Sequence, residues 1–132
     1  VRIKYKKKMK LELKHLVGYL PYSLNILYWN GNAKEYIDIL QVLHLETKNV
    51  LGSDKHKPIL RPLSDLTEIF YWDNLQDGDC ELDKERINEI KNSPRGYLKL
   101  YQSNYLFKHH FDIFGLIEKD LAVNINTLSV PE

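Results

Sequence analysis

The hydrophobic and polar positions of this chain change period at one stretch, Lys57–Leu66 (KPILRPLSDL). Before it the apolar residues fall mainly in strand-like runs; after it they recur at helical spacing. Pro58 and Pro62 bracket Ile59, Leu60 and Arg61, and Ser64-Asp65 supplies a helix-start signature. Upstream, Lys10–Leu16 alternates loosely until Gly18, Pro21 and Ser23 break the pattern, leaving Tyr19, Leu20 and Tyr22 to cover one edge of the core. Leu24–Trp29 is rich in strand-favouring residues and runs into Asn30-Gly31, a hairpin signal in which Gly31 takes positive φ without a Cβ clash. Residues 33–47 fit two templates. As a strand they place Ile37, Ile39, Leu43 and Leu45 on one face; as a helix, Asn32 and Glu35 form a capping box ahead of Tyr36, Leu40 and Leu43. The preceding turn and the β-branched content favour the strand. Lys48-Asn49 and Gly52–Lys57 then form turns around Val50-Leu51, and Ile59-Leu60 makes the next strand, with Pro58 at an edge or a strand start.

Beyond Pro62, Ser64 and Asp65 are expected to cap a short turn leading to Leu66, Ile69–Trp72 (IFYW) to form a compact strand, and Asp73–Asp83 a solvated acidic loop. Asp83–Lys91 predicts a helix with Ile87 and Ile90 facing inward, stopped by Asn92-Ser93-Pro94 and Gly96; Tyr97–Tyr101 predicts a short strand. Ser103–Lys119 carries the strongest helical pattern, with Phe107, Phe111, Phe114 and Ile117 in one stripe and Gly115 as a point where it ends or bends. Leu121–Ile125 is a last extended piece. The sum is a small α+β domain over residues 9–132. A mostly antiparallel sheet occupies its N-terminal half and two or three helices its C-terminal half, a small β-barrel with a helical C-terminal half being the alternative.

Composition narrows the class. At 132 residues, 43% apolar and 28% charged, the chain is long and apolar enough for one continuous core. No run approaches the roughly 18–20 apolar residues of a membrane span, so no membrane partner is expected. The basic N-terminus is not followed by the apolar region of a signal peptide, because Glu12, Lys14 and His15 interrupt. Cys80, the only cysteine, excludes an internal disulfide and fits a reducing compartment, the cytoplasm.

The net charge of +1 hides an asymmetry. Residues 1–14 hold seven basic groups against Glu12, a sum of +6, so the other 118 residues sum to −5. Arg2, Lys4, Lys6, Lys7 and Lys8, interleaved with Ile3 and Tyr5, are the candidate nucleic-acid contacts. The folded part is acidic and lacks a recognisable nucleic-acid motif, which favours a protein partner. Met9 is the only methionine, and residues 1–8 are expected to be an extension ahead of a start there.

Candidate chemistry is sparse. His109-His110 with Asp112 is the densest metal-like cluster, yet adjacent helical residues point about 100° apart, and no histidine pair has the i,i+4 spacing of a helical zinc site. His110 lies near the apolar stripe, where a hydrogen-bonded core histidine is the simpler reading; no metal is assigned. In the acidic loop, aligning Gly78 with the calcium-loop glycine puts Asp73 first and Asp77 fifth. Leu75 and Lys84 then occupy the third and twelfth ligand positions, which disqualifies the motif. Cys80 sits among Asp77, Asp79, Glu81 and Asp83, a field that raises a thiol pKa and disfavours nucleophilic use. No nucleophile-elbow or phosphate-cradling glycine motif occurs, so no catalytic residue and no cofactor are assigned. Arg61 has Asp65 within reach, so it is expected to be anchored there, the alternative being a projecting recognition residue.

Lys57–Thr67 (KPILRPLSDLT) and His110–Leu128 (HFDIFGLIEKDLAVNINTL) resemble a group of small uncharacterised proteins from prophages and related mobile elements of gut Bacteroidetes. Leu11–Tyr22 (LELKHLVGYLPY) is similar to their usual N-terminal segment, which agrees with a start at Met9. The resemblance implies an origin, with no activity or site residue attached. The resulting expectation is a phage-related accessory protein that binds a protein partner without catalysis. A nucleic-acid binder using the basic arm is one alternative. The other is a small enzyme in which His109 or His110 meets a carboxylate in a pocket.

Overall fold

The strand-favouring run Ile26–Trp29 is where the sheet is built. The computed structural model describes residues 11–29, 35–39, 56–92 and 98–128. Strand β1 (Asn25–Trp29) pairs antiparallel with β2 (Glu35–Ile39), in a register running from Asn25 opposite Ile39 to Trp29 opposite Glu35. On its other side β1 pairs antiparallel with β3 (His56–Leu60), Ile26 opposite Pro58. The short β4 (Val123–Asn124) joins β3 in parallel, Ile59 opposite Val123. The order β2-β1-β3-β4 makes a mixed, four-stranded sheet. Ile26 and Leu27 point to opposite faces of β1 and are both buried, so the strand is covered on both sides.

The fold is α+β, with the sheet concentrated in the N-terminal half and helices in the C-terminal half. Helix α1 (Leu13–Leu16) continues into a 3-10 turn over Val17–Tyr22 and corrects the loose alternation expected for Lys10–Leu16. His15 Nδ1 accepts a hydrogen bond from Glu12 N–H at 2.9 Å, and Leu11, Leu16 and Tyr19 all fall on the buried side. Pro58 also departs from expectation, lying in the middle of an interior strand. β4 pairs only with Ile59 and Leu60, so the side of β3 facing away from β1 carries no β4 partner at Pro58.

Pro62 precedes a 3-10 turn, Leu63–Asp65, with no side-chain cap; Ser64 and Asp65 do not cap it as expected. Ile69–Trp72 is not a strand. Thr67 caps helix α2 (Glu68–Asp73), its hydroxyl oxygen accepting from Phe70 N–H at 3.1 Å, with Glu68 placed favourably in the first turn. Helix α3 (Lys84–Asn92) is as the pattern predicts: Asp83 accepts from Arg86 N–H at 2.8 Å, and Ile87 and Ile90 are buried. Helix α4 (Leu100–Lys108) takes in Leu100 and Tyr101, expected in a strand, and stops eleven residues short of Lys119. His110 turns the chain with φ +62°, and Phe111 forms a parallel bridge with Arg61. Leu121–Ile125 is extended only at β4; Ile125 enters a 3-10 turn. His56 and Lys57, expected in the turn over Gly52–Lys57, belong instead to β3, where they pair with Tyr28 and Leu27. Residues 52–55 of that turn, the expected turns at Asn30-Gly31, Lys48-Asn49 and Ser93–Gly96, the Val50-Leu51 piece, the reading of residues 40–47 and the basic N-terminal residues 1–8 lie outside the described residues.

Two apolar clusters result. One joins Leu11, Leu16, Tyr19, Leu24, Ile26 and Leu60 to Leu116 and Ala122 beside the sheet; the other joins Leu66, Tyr71, Leu82, Ile87, Ile90, Tyr105, Leu106 and Phe111 among the helices. Tyr19 ties them together. Its hydroxyl donates to the Phe111 carbonyl and accepts from Ile113 N–H at 3.3 Å.

Candidate functional site

The stretch where the period changes meets the segment around His110 in space. Arg61 N–H donates to the His110 carbonyl and Asp112 N–H to the Arg61 carbonyl, each at 2.8 Å. The Arg61 guanidinium lies 4.8 Å from the Phe70 ring centroid and 3.9 Å from Asp65, so this side chain is anchored and does not project. Asp65 in turn accepts from Asn126 Nδ2 at 2.7 Å. Asp112 is buried, its two carboxylate oxygens taking the N–H groups of Leu116 and Ile117 at 2.8 and 3.0 Å, which fixes the turn after Gly115. A cleft of about 290 Å³ lies between Pro62–Ser64 and the Ile113–Glu118 loop, with Ile90 and Leu98 in its wall.

The acidic loop supplies one strongly engaged residue. Asp79 Oδ1 accepts from Lys108 Nζ at 2.6 Å, and Oδ2 accepts from His109 Nε2–H at 2.9 Å and from Gln76 N–H at 3.0 Å. Burial works to raise its pKa, but the bonds from Lys108, His109 and Gln76 outweigh that and hold it below the usual carboxylate value. Lys108 also donates to the Asp77 carbonyl, so the end of α4 staples the loop at two points.

His109 therefore does meet a carboxylate within hydrogen-bond reach, as an enzyme reading requires. The Asp79 and His109 side chains are only 1% and 6% exposed, however, and neither lines the cleft beside Pro62 or a second one between Leu27, Lys57 and Val123. His110 points elsewhere. Its Nε2–H donates to the Tyr22 carbonyl at 2.6 Å, and burial first, then the nearby His109 and Arg61, lowers its pKa despite that bond. The two adjacent histidines thus serve separate structural partners. The Cys80 thiol is pushed up by burial first and by Asp79 second, and it donates to the Tyr101 carbonyl at 3.8 Å. Arg2, Lys4, Lys6, Lys7 and Lys8 lie outside the described residues.

The feature that sequence reading missed is on α2. Phe70 and Tyr71 turn inward, Tyr71 donating from its hydroxyl to the Cys80 carbonyl at 2.8 Å. Ile69 and Trp72, one helical turn apart, are 74% and 66% exposed. Leu75 extends the exposed apolar surface beyond the helix, and Leu100 and Tyr101 expose more at the start of α4. The available signal was Thr67-Glu68, a helix start one residue ahead of IFYW, which converts an apparent strand into a helix with two apolar residues facing water. No described helix is long and apolar enough to cross a membrane. Comparison of the chain with protein-family models, curated proteins and solved structures finds no match.

Proposed function

We propose that this protein is a non-catalytic accessory protein of the cytoplasm that works by binding another protein, with α2 as the contact surface. The observation that carries the reading is the outward face of α2. An isoleucine and a tryptophan there are largely exposed, Trp72 touching the fold edge-on at Tyr71, on a helix already held by Phe70, Tyr71 and the Thr67 cap. Exposed tryptophan is costly to leave in water and is the side chain most enriched among residues that dominate binding energy at interfaces. The resemblance of Lys57–Thr67 and His110–Leu128 to prophage and mobile-element proteins supports an accessory role, and the lone cysteine supports the compartment.

The test is affinity capture from source cells with the wild-type chain and an Ile69→Ser/Trp72→Ser double variant, followed by reconstitution from purified components. The reading expects an identified partner whose affinity falls at least about a hundredfold in the double variant, in line with the loss of a central aromatic anchor. A reconstituted partner that binds both forms equally removes α2 from the interface.

A further inference from the structure

We infer that the α2 face receives a basic amphipathic segment of another protein, one that sets aliphatic or aromatic side chains against Ile69 and Trp72 and places lysine or arginine around them. This deepens the binding role proposed above and rests on it. The argument is charge complementarity around an apolar centre. From Thr67 to Asp83 the chain carries six acids (Glu68, Asp73, Asp77, Asp79, Glu81 and Asp83) and no lysine or arginine. Asp79 alone meets a cation among the described residues, Lys108, with a hydrogen bond from His109 beside it, and its side chain is buried. The other five residues are exposed and make no ion pair with a described residue. Helical spacing puts Glu68 on the same side as Trp72, and Ile69 on the same side as Asp73, so carboxylates flank the two apolar side chains directly.

Such a face discriminates. An acidic partner meets like charges at close range, and a wholly apolar one leaves carboxylates partly desolvated without a counter-charge. A lysine or arginine gains twice, from the carboxylates and from the indole face of Trp72, where a guanidinium is favourably placed over the ring. Because the carboxylates are exposed, their contribution is to association rate and partner choice, and it weakens with salt, whereas the Ile69–Trp72 contact persists.

The experiment is a selection of random displayed peptides on the full chain, discarding those that bind the Ile69→Ser/Trp72→Ser variant equally well. Both substitutions replace solvent-facing side chains, and a matching thermal melt shows that the variant is folded. Variant-sensitive peptides are expected to be enriched in lysine or arginine together with aromatic and aliphatic residues. A synthetic peptide of that type should lose about tenfold or more in affinity in Glu68→Gln/Asp73→Asn/Asp77→Asn and again at high salt. Variant-sensitive peptides that are acidic or uncharged overturn the partner chemistry and leave α2 as a binding surface. If no peptide distinguishes the two forms, both readings fall. A concentration-dependent dimer in light scattering, lost in the double variant, assigns the face to a second copy of this chain and overturns the inference of a foreign partner.

Discussion

Tyr19 and Tyr105 are both buried phenols whose ionisation burial pushes up, Tyr105 further through Asp79 and Tyr19 slightly through Asp112. They differ in hydrogen bonding. The Tyr19 hydroxyl donates to the Phe111 carbonyl and receives Ile113 N–H, while the buried Tyr105 hydroxyl makes no hydrogen bond to a described residue. Removing the first leaves a buried carbonyl unpaired; removing the second removes an unsatisfied polar group. Tyr19→Phe is expected to lower stability by about 1–3 kcal/mol, and Tyr105→Phe to leave it unchanged or raise it by up to ~1 kcal/mol, as read from urea midpoints. His110 and Asp79 set the response to acid. The folded-state pKa of His110 lies below its ordinary 6.5, so its contribution is complete above that value and is lost as pH falls through the depressed one. Asp79 behaves likewise from its ordinary 3.8, its charged form being the one held by Lys108 and His109. Stability should therefore decline in two stages on acidification. His110→Asn, which keeps a residue tolerant of positive φ, should flatten the first stage, and Asp79→Asn the second; unchanged pH profiles of the urea midpoint would remove these groups from the account.

At the scale of elements, the packing of α4 against the Val17–Tyr22 turn depends on the absence of one carbon. A Cβ on Gly18 would sit 2.4 Å from the Phe107 ring. That ring is held by edge contact with Tyr19 at 4.8 Å, so it has little room to retreat. Gly18→Ala is expected to destabilise by about 1–3 kcal/mol, and Phe107→Leu in the same chain to recover part of that loss, a non-additivity that a double-mutant cycle measures directly. The same contacts explain what the sequence made legible. α3 could be read because its determinants are local, the Asp83 cap and the Ile87/Ile90 spacing. β1, the Ile59-Leu60 end of β3 and the part of β2 that is described could be read because strand-favouring residues cluster there, whereas His56 and Lys57 read as turn and are strand through their pairing with Tyr28 and Leu27. The C-terminal stripe could not. Phe107, Phe111, Phe114 and Ile117 are spaced as one helix would place them, yet Phe107, Phe114 and Ile117 pack on the cluster beside the sheet and Phe111 in the cluster among the helices. The break at His110 is set by Arg61 and Tyr19, partners dozens of residues away, and no local propensity announces it. Ile69 and Trp72 misled for the opposite reason: apolar residues flanking Phe70 and Tyr71 look like core until a helix turns them outward.

Across the whole chain the charge is divided between a basic N-terminal segment and an acidic remainder, and this division is the basis on which the proposed reading favours a protein partner over nucleic acid. Residues 1–14 sum to +6, whereas the rest of the chain sums to −5 and gathers six acids between Glu68 and Asp83. On that reading a polyanion is disfavoured at the surface that carries Ile69 and Trp72, and attraction to DNA is expected to come from the lysines and Arg2 of residues 1–8, through displacement of counterions. Removing residues 1–8 takes away five positive charges and shifts the net charge from +1 to −4. Labelled duplex and single-stranded DNA, titrated with the full chain and with the form beginning at Met9 across a salt series, separate the two contributions. The full chain is expected to bind weakly with a steep salt dependence, and the shortened form not to bind, because the counterion term scales with the number of phosphates neutralised. The shortened form should at the same time keep its α2-dependent affinity for a basic peptide, since none of the groups on that face is removed. If the shortened form holds DNA with the same salt slope as the full chain, a basic face must exist within the fold, and the assignment of α2 to a protein partner loses its electrostatic basis.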